Sequence, residues 1–228
     1  MKPKELLELI RSRATVRAFE DRPVSRDLLV RLLEAAIRAP SPTNRQPWKF
    51  SMVTARDVRT QLVEATHSAI ADIRETIAKG PHPDHLADYW GYFVRPMQSA
   101  TAFVVVSYRQ FPDTLAHLVR DAGADPAAFV TCDHWNGEIS AASAAIMQLL
   151  LQAHAEGLGA CWMSGPLLAR ARICELLRIR PPWRMLGGIA LGWPAQAPVP
   201  TPRKPQEKVV EWFEDVVPAP GGDEESAG

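Results

Sequence analysis

The sequence predicts a single domain that mixes helices with strands, and three segments carry most of that prediction. Residues 101–108 (TAFVVVSY) are an unbroken apolar run with a β-branched centre, typical of a strand buried on both faces. Residues 185–193 (MLGGIALGW) predict a second buried strand. Residues 138–156 have a helical pattern, and twelve of the seventeen residues from 139 to 155 are apolar. We therefore expect a helix that is buried on every side.

The remaining elements follow from apolar periodicity and from the residues that interrupt it. Ser25 is a candidate N-cap, because a serine hydroxyl can accept a hydrogen bond from a free backbone N–H of the first helical turn. Three prolines exclude a helix across residues 39–47, which we call the proline loop. In chain order the further predicted elements are a helix ending near Arg13, a helix from Ser25 to Arg38, a strand over 48–53, a helix over 55–79, a helix over 84–98, a short strand over 160–163 and a helix over 167–177.

Charge, cysteine content and hydropathy exclude several classes of protein. The 228 residues carry 26 basic and 26 acidic side chains, and this balance argues against a nucleic-acid partner. Three cysteines without a CxxC pattern argue against a disulfide scaffold and a metal site. The longest charge-free apolar run, residues 139–155, is too short for a membrane span, and the N-terminal residues lack an apolar signal core. We therefore expect a cytoplasmic protein without a membrane partner.

The first candidate site is the arginine segment, residues 13–17. Arg11, Arg13, Thr15 and Arg17 are alternate residues, which face the same way when a chain is extended. Their guanidinium groups would repel one another unless an anion lay between them, and arginine forks suit phosphate oxygens. The alternative is a solvated basic face. Neither the P-loop pattern nor the dinucleotide pattern GxGxxG is present.

The second candidate is the proline loop itself, which holds Ser41, Thr43, Asn44 and Gln46. Prolines stiffen it, so its polar groups can present fixed donors and acceptors at low entropic cost. The third candidate is the glycine segment, residues 157–165, where glycine permits close approach of a flat ligand to the backbone. The alternatives are an ordinary helix-to-strand loop and a routine helix–strand–helix passage. Within the glycine segment, Cys161 is expected to be buried in the strand and unreactive.

The fourth candidate lies in the C-terminal arm, residues 194–217. Five prolines between residues 194 and 205 force an extended chain, and Arg203 with Lys204 lies at its far end. An apolar group follows at Val209, Val210, Trp212 and Phe213. Taken alone, Arg203 and Lys204 would be a surface charge pair. Because an arm with an apolar end needs something to pack on, we expect it to embrace a second subunit, with a disordered tail over 218–228.

These four segments, in this order, resemble the FMN-dependent nitroreductase family. The resemblance covers about residues 5 to 213, nearly the whole chain. It is carried by residues 13–19 (RATVRAF), residues 39–48 (APSPTNRQPW), residues 157–162 (GLGACW) and residues 203–205 (RKP). The string Pro-Ser-x-x-Asn-x-Gln-Pro-Trp is the most specific of the four. Residues 136–140 and residues 203–205 are also similar to iodotyrosine deiodinase-type relatives.

The resemblance implies an α+β fold: a central mixed, mostly antiparallel sheet flanked by helices, with a C-terminal strand exchanged in a homodimer. Residues 1–217 would form one FMN-binding domain. The resemblance also implies a ping-pong reaction, in which NAD(P)H reduces the flavin at N5 and a nitroaromatic, quinone or similar small acceptor then takes the electrons. Alternatives are reductive dehalogenation of a halogenated aromatic and a flavin carrier or sensor without turnover. A dimeric structural protein without flavin is a weaker alternative.

The same resemblance assigns roles to individual residues. The Gly165 N–H would lie near flavin N5, and Ser164 would lie beside the isoalloxazine. This chain departs from many relatives at Ala14, Thr15, Ala141, Ser164 and Thr201, which leaves the acceptor open. The residues implied to bind FMN are Arg13, Ala14, Thr15, Arg17, Met163, Ser164, Gly165 and Arg203 from one subunit, and Pro40, Ser41, Pro42 and Asn44 from the other.

Overall fold

Four antiparallel strands form one sheet at the centre of the protein. The structure is a computed structural model that describes residues 2–82, 90–112, 114–128 and 136–213. The strand order is β1-β2-β4-β3, and all three pairings are antiparallel. The strands are β1 (Trp48–Val53), β2 (Ala102–Arg109), β3 (Gly159–Met163) and β4 (Trp183–Gly192). The α+β class is therefore confirmed, whereas the exchanged C-terminal strand stays a prediction.

Helices cover both faces of this sheet. On one face, residues of α2 and α6 pack on Val104 and Val106 of β2. On the other face, residues of α3, α4 and α7 pack on Phe103 and Val105. Strand β2 is thus buried on both faces, as its β-branched run predicts. The helices are α1 (Pro3–Ser12), α2 (Arg26–Ala36), α3 (Arg56–Ala78), α4 (Arg95–Ser99), α5 (Thr114–Asp121), α6 (Gly137–Ala155) and α7 (Arg170–Leu176).

Most local predictions agree with these bounds. Ser25 caps α2, because its hydroxyl oxygen accepts a hydrogen bond from the Leu28 N–H at 3.3 Å. The predicted helix over 84–98 is wrong in part. Residues 90–93 form a 3-10 turn, α4 begins only at Arg95, and residues 83–89 lie outside the described residues. Pro96 explains the late start, since proline is tolerated only in the first turn of a helix.

Helix α6 is less enclosed than its composition predicts. Eight of its residues are buried, but Ser140 and Met147 are exposed. Ala144, which lies between these two, and Leu151, which follows them, are half-buried. These four residues are three or four positions apart, so they lie on one face of the helix. The prediction of burial on every side is therefore wrong for this face. Within the described ranges, no helix has both the length and the apolar character needed to cross a membrane.

The C-terminal arm leaves the sheet at Pro194, which makes a single antiparallel bridge with Phe19. Beyond that bridge, its described residues are exposed or half-buried. Trp212 and Phe213 are 80% and 75% exposed, which is far more than large aromatic side chains usually show. The arm does not bury its apolar end on its own chain. The predicted tail over 218–228 lies outside the described residues.

Candidate functional site

The arginine segment is extended and lies against the free edge of β3. The Val16 N–H donates to the Ala160 carbonyl oxygen at 3.0 Å, which fixes the segment beside the strand. Ala14 and Val16 are each 7% exposed, whereas Thr15 and Arg17 are exposed. The predicted alternation is therefore present from Ala14 to Arg17, with Thr15 and Arg17 on the outward side. It is wrong for Arg11, which lies in α1 and pairs with Glu8 there, because that residue is helical and not extended.

A glycine makes this close approach possible. A Cβ atom on Gly159 would lie 2.7 Å from the Cβ of Val16, a contact that real side chains do not make. Gly159 thus allows the arginine segment to lie close to β3.

The arginine segment carries positive charge without local compensation. Among the residues that the structure describes, neither Arg13 nor Arg17 makes a salt bridge with a carboxylate. The positive charge affects nearby groups: burial and then the Arg13 charge lower the pKa of His154. Two guanidinium groups and the Thr15 hydroxyl, without a carboxylate partner there, are a donor set that fits a phosphate group.

The glycine segment and a 3-10 turn at residues 90–93 complete this side of the site. Arg17 lies over the Tyr92 ring, 5.9 Å from its centroid, and half of the Tyr92 surface is exposed. Trp90 in the same turn is buried against Ile70. The turn therefore contributes one core residue and one exposed aromatic ring beside Arg17.

Gly165 lies directly against the backbone of this turn. A Cβ on Gly165 would lie 2.2 Å from the Phe93 carbonyl oxygen, so no side chain fits there. We predict that Gly165→Ala lowers the free energy of unfolding of the cofactor-free protein by about 1–3 kcal/mol, the usual cost of overpacking. Urea denaturation measures this. Gly80→Ala is the matched control, because its Cβ would meet only the Ile77 carbonyl oxygen at 3.3 Å. Equal stability of the two variants would contradict the packing role.

Cys161 is 5% exposed in β3, and burial raises the pKa of its thiol to about 11, despite the opposing effect of the Arg17 charge. Because the thiolate is the reactive form, a raised pKa keeps Cys161 protonated near neutral pH. We predict that iodoacetamide leaves Cys161 unmodified in the folded protein and alkylates it after denaturation. Peptide mapping by mass spectrometry measures both states. Rapid alkylation of the folded protein would contradict the prediction.

The proline loop lies at the opposite edge of the sheet, immediately before β1. It lines a cavity of about 430 Å³ together with the first turns of α6. Asn44 and Gln46 are tied within the loop, since the Gln46 side-chain amide donates to Asn44 Oδ1 at 3.2 Å and the Gln46 N–H donates to Ser41 Oγ at 3.0 Å. The lining residues are Pro40, Ser41, Pro42, Asn136, Gly137, Ser140, Ala141 and Ala144.

Helix α6 separates the two parts of the site. Its start lines the cavity at Ala141, and near its end His154 Nε2 lies 2.9 Å from the Ser12 hydroxyl, next to Arg13. The thirteen residue steps between Ala141 and His154 correspond to roughly 20 Å along the helix, at about 1.5 Å per residue. Within one chain, the arginine segment and the cavity therefore lie far apart, near opposite ends of α6.

The structure divides the predicted site residues into four groups. Ala14 and Met163 have buried side chains. Arg203 stands apart from the others: it is exposed, and its guanidinium donates to the Thr201 and Pro202 carbonyls within the arm itself. The third group lies at the β3 edge of the sheet and consists of Arg13, Thr15, Arg17, Ser164 and Gly165. The fourth group lies at the β1 edge and consists of Pro40, Ser41, Pro42 and Asn44.

Sequence reasoning missed an ion pair between Arg45 and Glu138 behind the cavity. No local pattern signals it, because the partners are 93 positions apart and meet only in the fold.

Comparison with known proteins agrees with three of the four sequence segments. Residues 10–193 match the model of the nitroreductase family. The chain belongs to this family. The matched range contains the arginine segment, the proline loop and the glycine segment of this nitroreductase-family chain. The C-terminal arm lies beyond the match.

Three relatives illustrate the similarity. The chain is 29% identical over 218 residues to an NADH dehydrogenase from Thermus thermophilus, covering 88% of this chain and 92% of that protein. A BluB-like flavoprotein from Clostridium difficile matches with a TM-score of 0.82 at 21% identity, covering 94% of this chain and all of the other. A Desulfovibrio desulfuricans structure described as a nitroreductase in complex with FMN matches with a TM-score of 0.64 at 25% identity, covering 93% and 98%.

Proposed function

We propose that this protein is an FMN-dependent NAD(P)H oxidoreductase that works as a homodimer. The observation that carries the proposal is a pair of arginines, half-buried Arg13 and exposed Arg17, that have no carboxylate partner among the described residues. The Thermus NADH dehydrogenase and the FMN complex from Desulfovibrio support the electron donor and the cofactor.

The chain's own residues have distinct tasks in this proposal. Arg13, Thr15 and Arg17 bind the FMN phosphate and ribityl chain, with Arg203 joining them from the arm. FMN held by these residues would supply two-electron chemistry between NAD(P)H and a second substrate. The Gly165 N–H is the donor that we assign to N5, and Gly165 is rigidly placed because the Phe93 backbone packs against it.

In this proposal the partner subunit supplies the second side of each cofactor site, which is the cavity lined by the proline loop. In a two-fold dimer whose α6 helices pack antiparallel, the end of one α6 lies beside the start of the other. The exposed face of α6, with Ser140 and Met147, is suited to this contact, because it is the uncovered part of an otherwise buried helix. Each arginine segment would then face the other subunit's cavity. Pro40, Ser41, Pro42 and Asn44 would complete the cofactor site from across the interface.

Two further exposed apolar groups favour the same assembly. Helix α1 has no buried residue, and Leu6, Leu7 and Ile10 are each about 45% exposed. The C-terminal arm ends in exposed Trp212 and Phe213. Contiguous apolar surface of this kind marks a protein interface. We propose that the arm and α1 pack on the second subunit. Sedimentation equilibrium tests this assembly, and a chain that stays monomeric at micromolar concentration would overturn it.

The acceptor is proposed to be a small planar aromatic, such as a nitroaromatic or a quinone. Tyr92 offers an exposed ring beside Arg17, and such a ring favours a flat aromatic partner. The donor and acceptor would use one slot in turn. The cytoplasmic location expected from the sequence stays a prediction.

The decisive test is the visible spectrum of the purified protein, before and after anaerobic addition of NADH or NADPH. A flavin spectrum that bleaches with either donor is expected, and a series of nitroaromatics and quinones would then restore it. A flavin protein that neither donor reduces would contradict the enzymatic proposal. A colourless protein that does not take up added FMN would overturn the cofactor assignment.

A further inference from the structure

One carboxylate joins the proline loop to α6 and to the segment that follows β2. Glu138 is the second residue of α6, and its Oε1 atom accepts a hydrogen bond from the Phe111 N–H at 3.4 Å. The same oxygen lies 3.6 Å from Nη1 of Arg45. The Glu138 side chain is only 16% exposed, so water screens this pair less than it would a surface pair.

An aromatic ring holds Arg45 in place at this junction. Two guanidinium groups lie over the Phe111 ring, with Arg45 at 5.2 Å and Arg109 at 4.5 Å from its centroid. Cation–π contact and the ion pair thus restrain the Arg45 side chain together. We call Arg45, Phe111, Arg109 and Glu138 the Glu138 junction.

The proline loop needs such a restraint, because its backbone is strained. Thr43, Asn44 and Gln46 have φ values of 48°, 54° and 47°, in the left-handed region that favours glycine. Asparagine tolerates this region, whereas threonine and glutamine seldom adopt it. Strained residues of this kind persist only where the surrounding structure holds them, and they concentrate at functional sites. The hydrogen bonds of Ser41, Asn44 and Gln46 act within the loop, so they do not fix it to α6.

We propose that Glu138 is a positioning residue that holds the proline loop in the shape required to bind the cofactor of the opposite subunit. Arg45 lies next to Asn44 in the strained turn and pairs with α6, the other wall of the cavity. Loss of the Glu138 charge frees Arg45 and lets the loop relax away from α6. This inference rests on the proposed function, since it assigns Glu138 a task toward bound FMN.

The first experiment compares FMN affinity with stability in single and double variants. Glu138→Gln keeps the size and the hydrogen-bond acceptor but removes the charge, and Arg45→Met removes the other partner. Each is expected to raise the FMN dissociation constant about fivefold. The double variant is expected to be no weaker than either single variant, because both remove one interaction. Additive losses in the double variant would overturn the proposal.

Glu156→Gln is the matched control. Glu156 follows the other end of α6 and pairs with Arg31 at 2.7 Å, remote from the cavity. This variant is expected to bind FMN like the wild type. The thermal midpoints of the cofactor-free variants are expected to match as well. An equal loss of FMN affinity in Glu156→Gln would overturn the proposal. So would a loss of FMN affinity in Glu138→Gln that is accompanied by a matching fall in the thermal midpoint, because Glu138 would then have a merely structural role.

A mixed dimer tests on which subunit's site Glu138 acts. A Glu138→Gln subunit paired with an Arg17→Ala subunit retains one intact site only if Glu138 acts across the interface. One site of wild-type affinity per mixed dimer is therefore expected, and two weakened sites would overturn the proposal. Wild-type protein without FMN binding would instead refute the proposed function. If the wild type binds FMN and Glu138→Gln binds it equally tightly, this inference alone is refuted.

Discussion

Arg17→Ala is expected to weaken FMN binding by about 1.5–3 kcal/mol, which raises the dissociation constant about 10- to 140-fold. The reason is the loss of a charge-assisted fork to a phosphate. Arg17 is exposed, its guanidinium lies 5.9 Å from the centroid of the Tyr92 ring, and the backbone of its neighbour Val16 is hydrogen-bonded to β3. Fluorescence titration of the cofactor-free protein with FMN measures the change.

Arg11→Ala is the control for this substitution. Arg11 lies six residues earlier, in α1, and its guanidinium pairs with Glu8 at 3.1 Å on the surface. Removing it changes the net charge by the same amount without touching the proposed site. If both variants lose affinity equally, the effect is general charge attraction and the assignment of Arg17 is wrong. Riboflavin, which lacks the phosphate, should bind both variants alike.

The local elements of this fold could be predicted because their signals are short in range. Proline and glycine positions set the ends of the proline loop and of β3, and Ser25 caps α2 as its hydroxyl suggests. The outward alternation of Thr15 and Arg17 was predictable because an extended chain alternates by geometry alone. Burial of β2 on both faces followed from its unbroken apolar run.

Long-range placement could not be predicted from these patterns. The strand order β1-β2-β4-β3 places the proline loop and the arginine segment at opposite edges of the sheet. No local pattern contains that order, because strand pairing depends on residues far apart in the chain. The Arg45–Glu138 pair was missed for the same reason. Family resemblance alone assigned the two walls of the site to different subunits.

Helix α6 shows where composition misleads. Its apolar residues predict burial all round, but in the chain its face at Ser140 and Met147 is uncovered. An apolar residue in the sequence indicates that its side chain is buried. It does not indicate whether the same chain or a second chain buries it. The exposed leucines of α1 have the same meaning. These surfaces are where sequence and single-chain structure disagree, and both disagreements lie where a second subunit is proposed.

A mixed dimer built from two defective subunits is expected to recover one FMN site. Arg17→Ala impairs the phosphate side of the site. Asn44→Asp impairs the proline-loop side, because it adds negative charge facing an anionic cofactor. The substitution is nearly isosteric, and aspartate tolerates the left-handed φ of 54° found at this position.

The expected recovery follows from which wall each subunit supplies. Each homodimer carries the same lesion in both sites, so both sites bind FMN weakly. In the mixed dimer, one site combines both lesions, and the other combines two wild-type walls. Two affinity tags on coexpressed chains allow the mixed dimer to be isolated, and FMN stoichiometry with donor-dependent bleaching measures the recovered site.

The opposite result has an equally clear structural meaning. If each chain built a complete site from its own residues, every site in the mixed dimer would carry one lesion and none would recover. The roughly 20 Å between Ala141 and His154 along α6 opposes that arrangement, because it keeps the cavity away from the arginine segment of the same chain. Recovery of a single site would therefore establish the shared site and the two-fold assembly together.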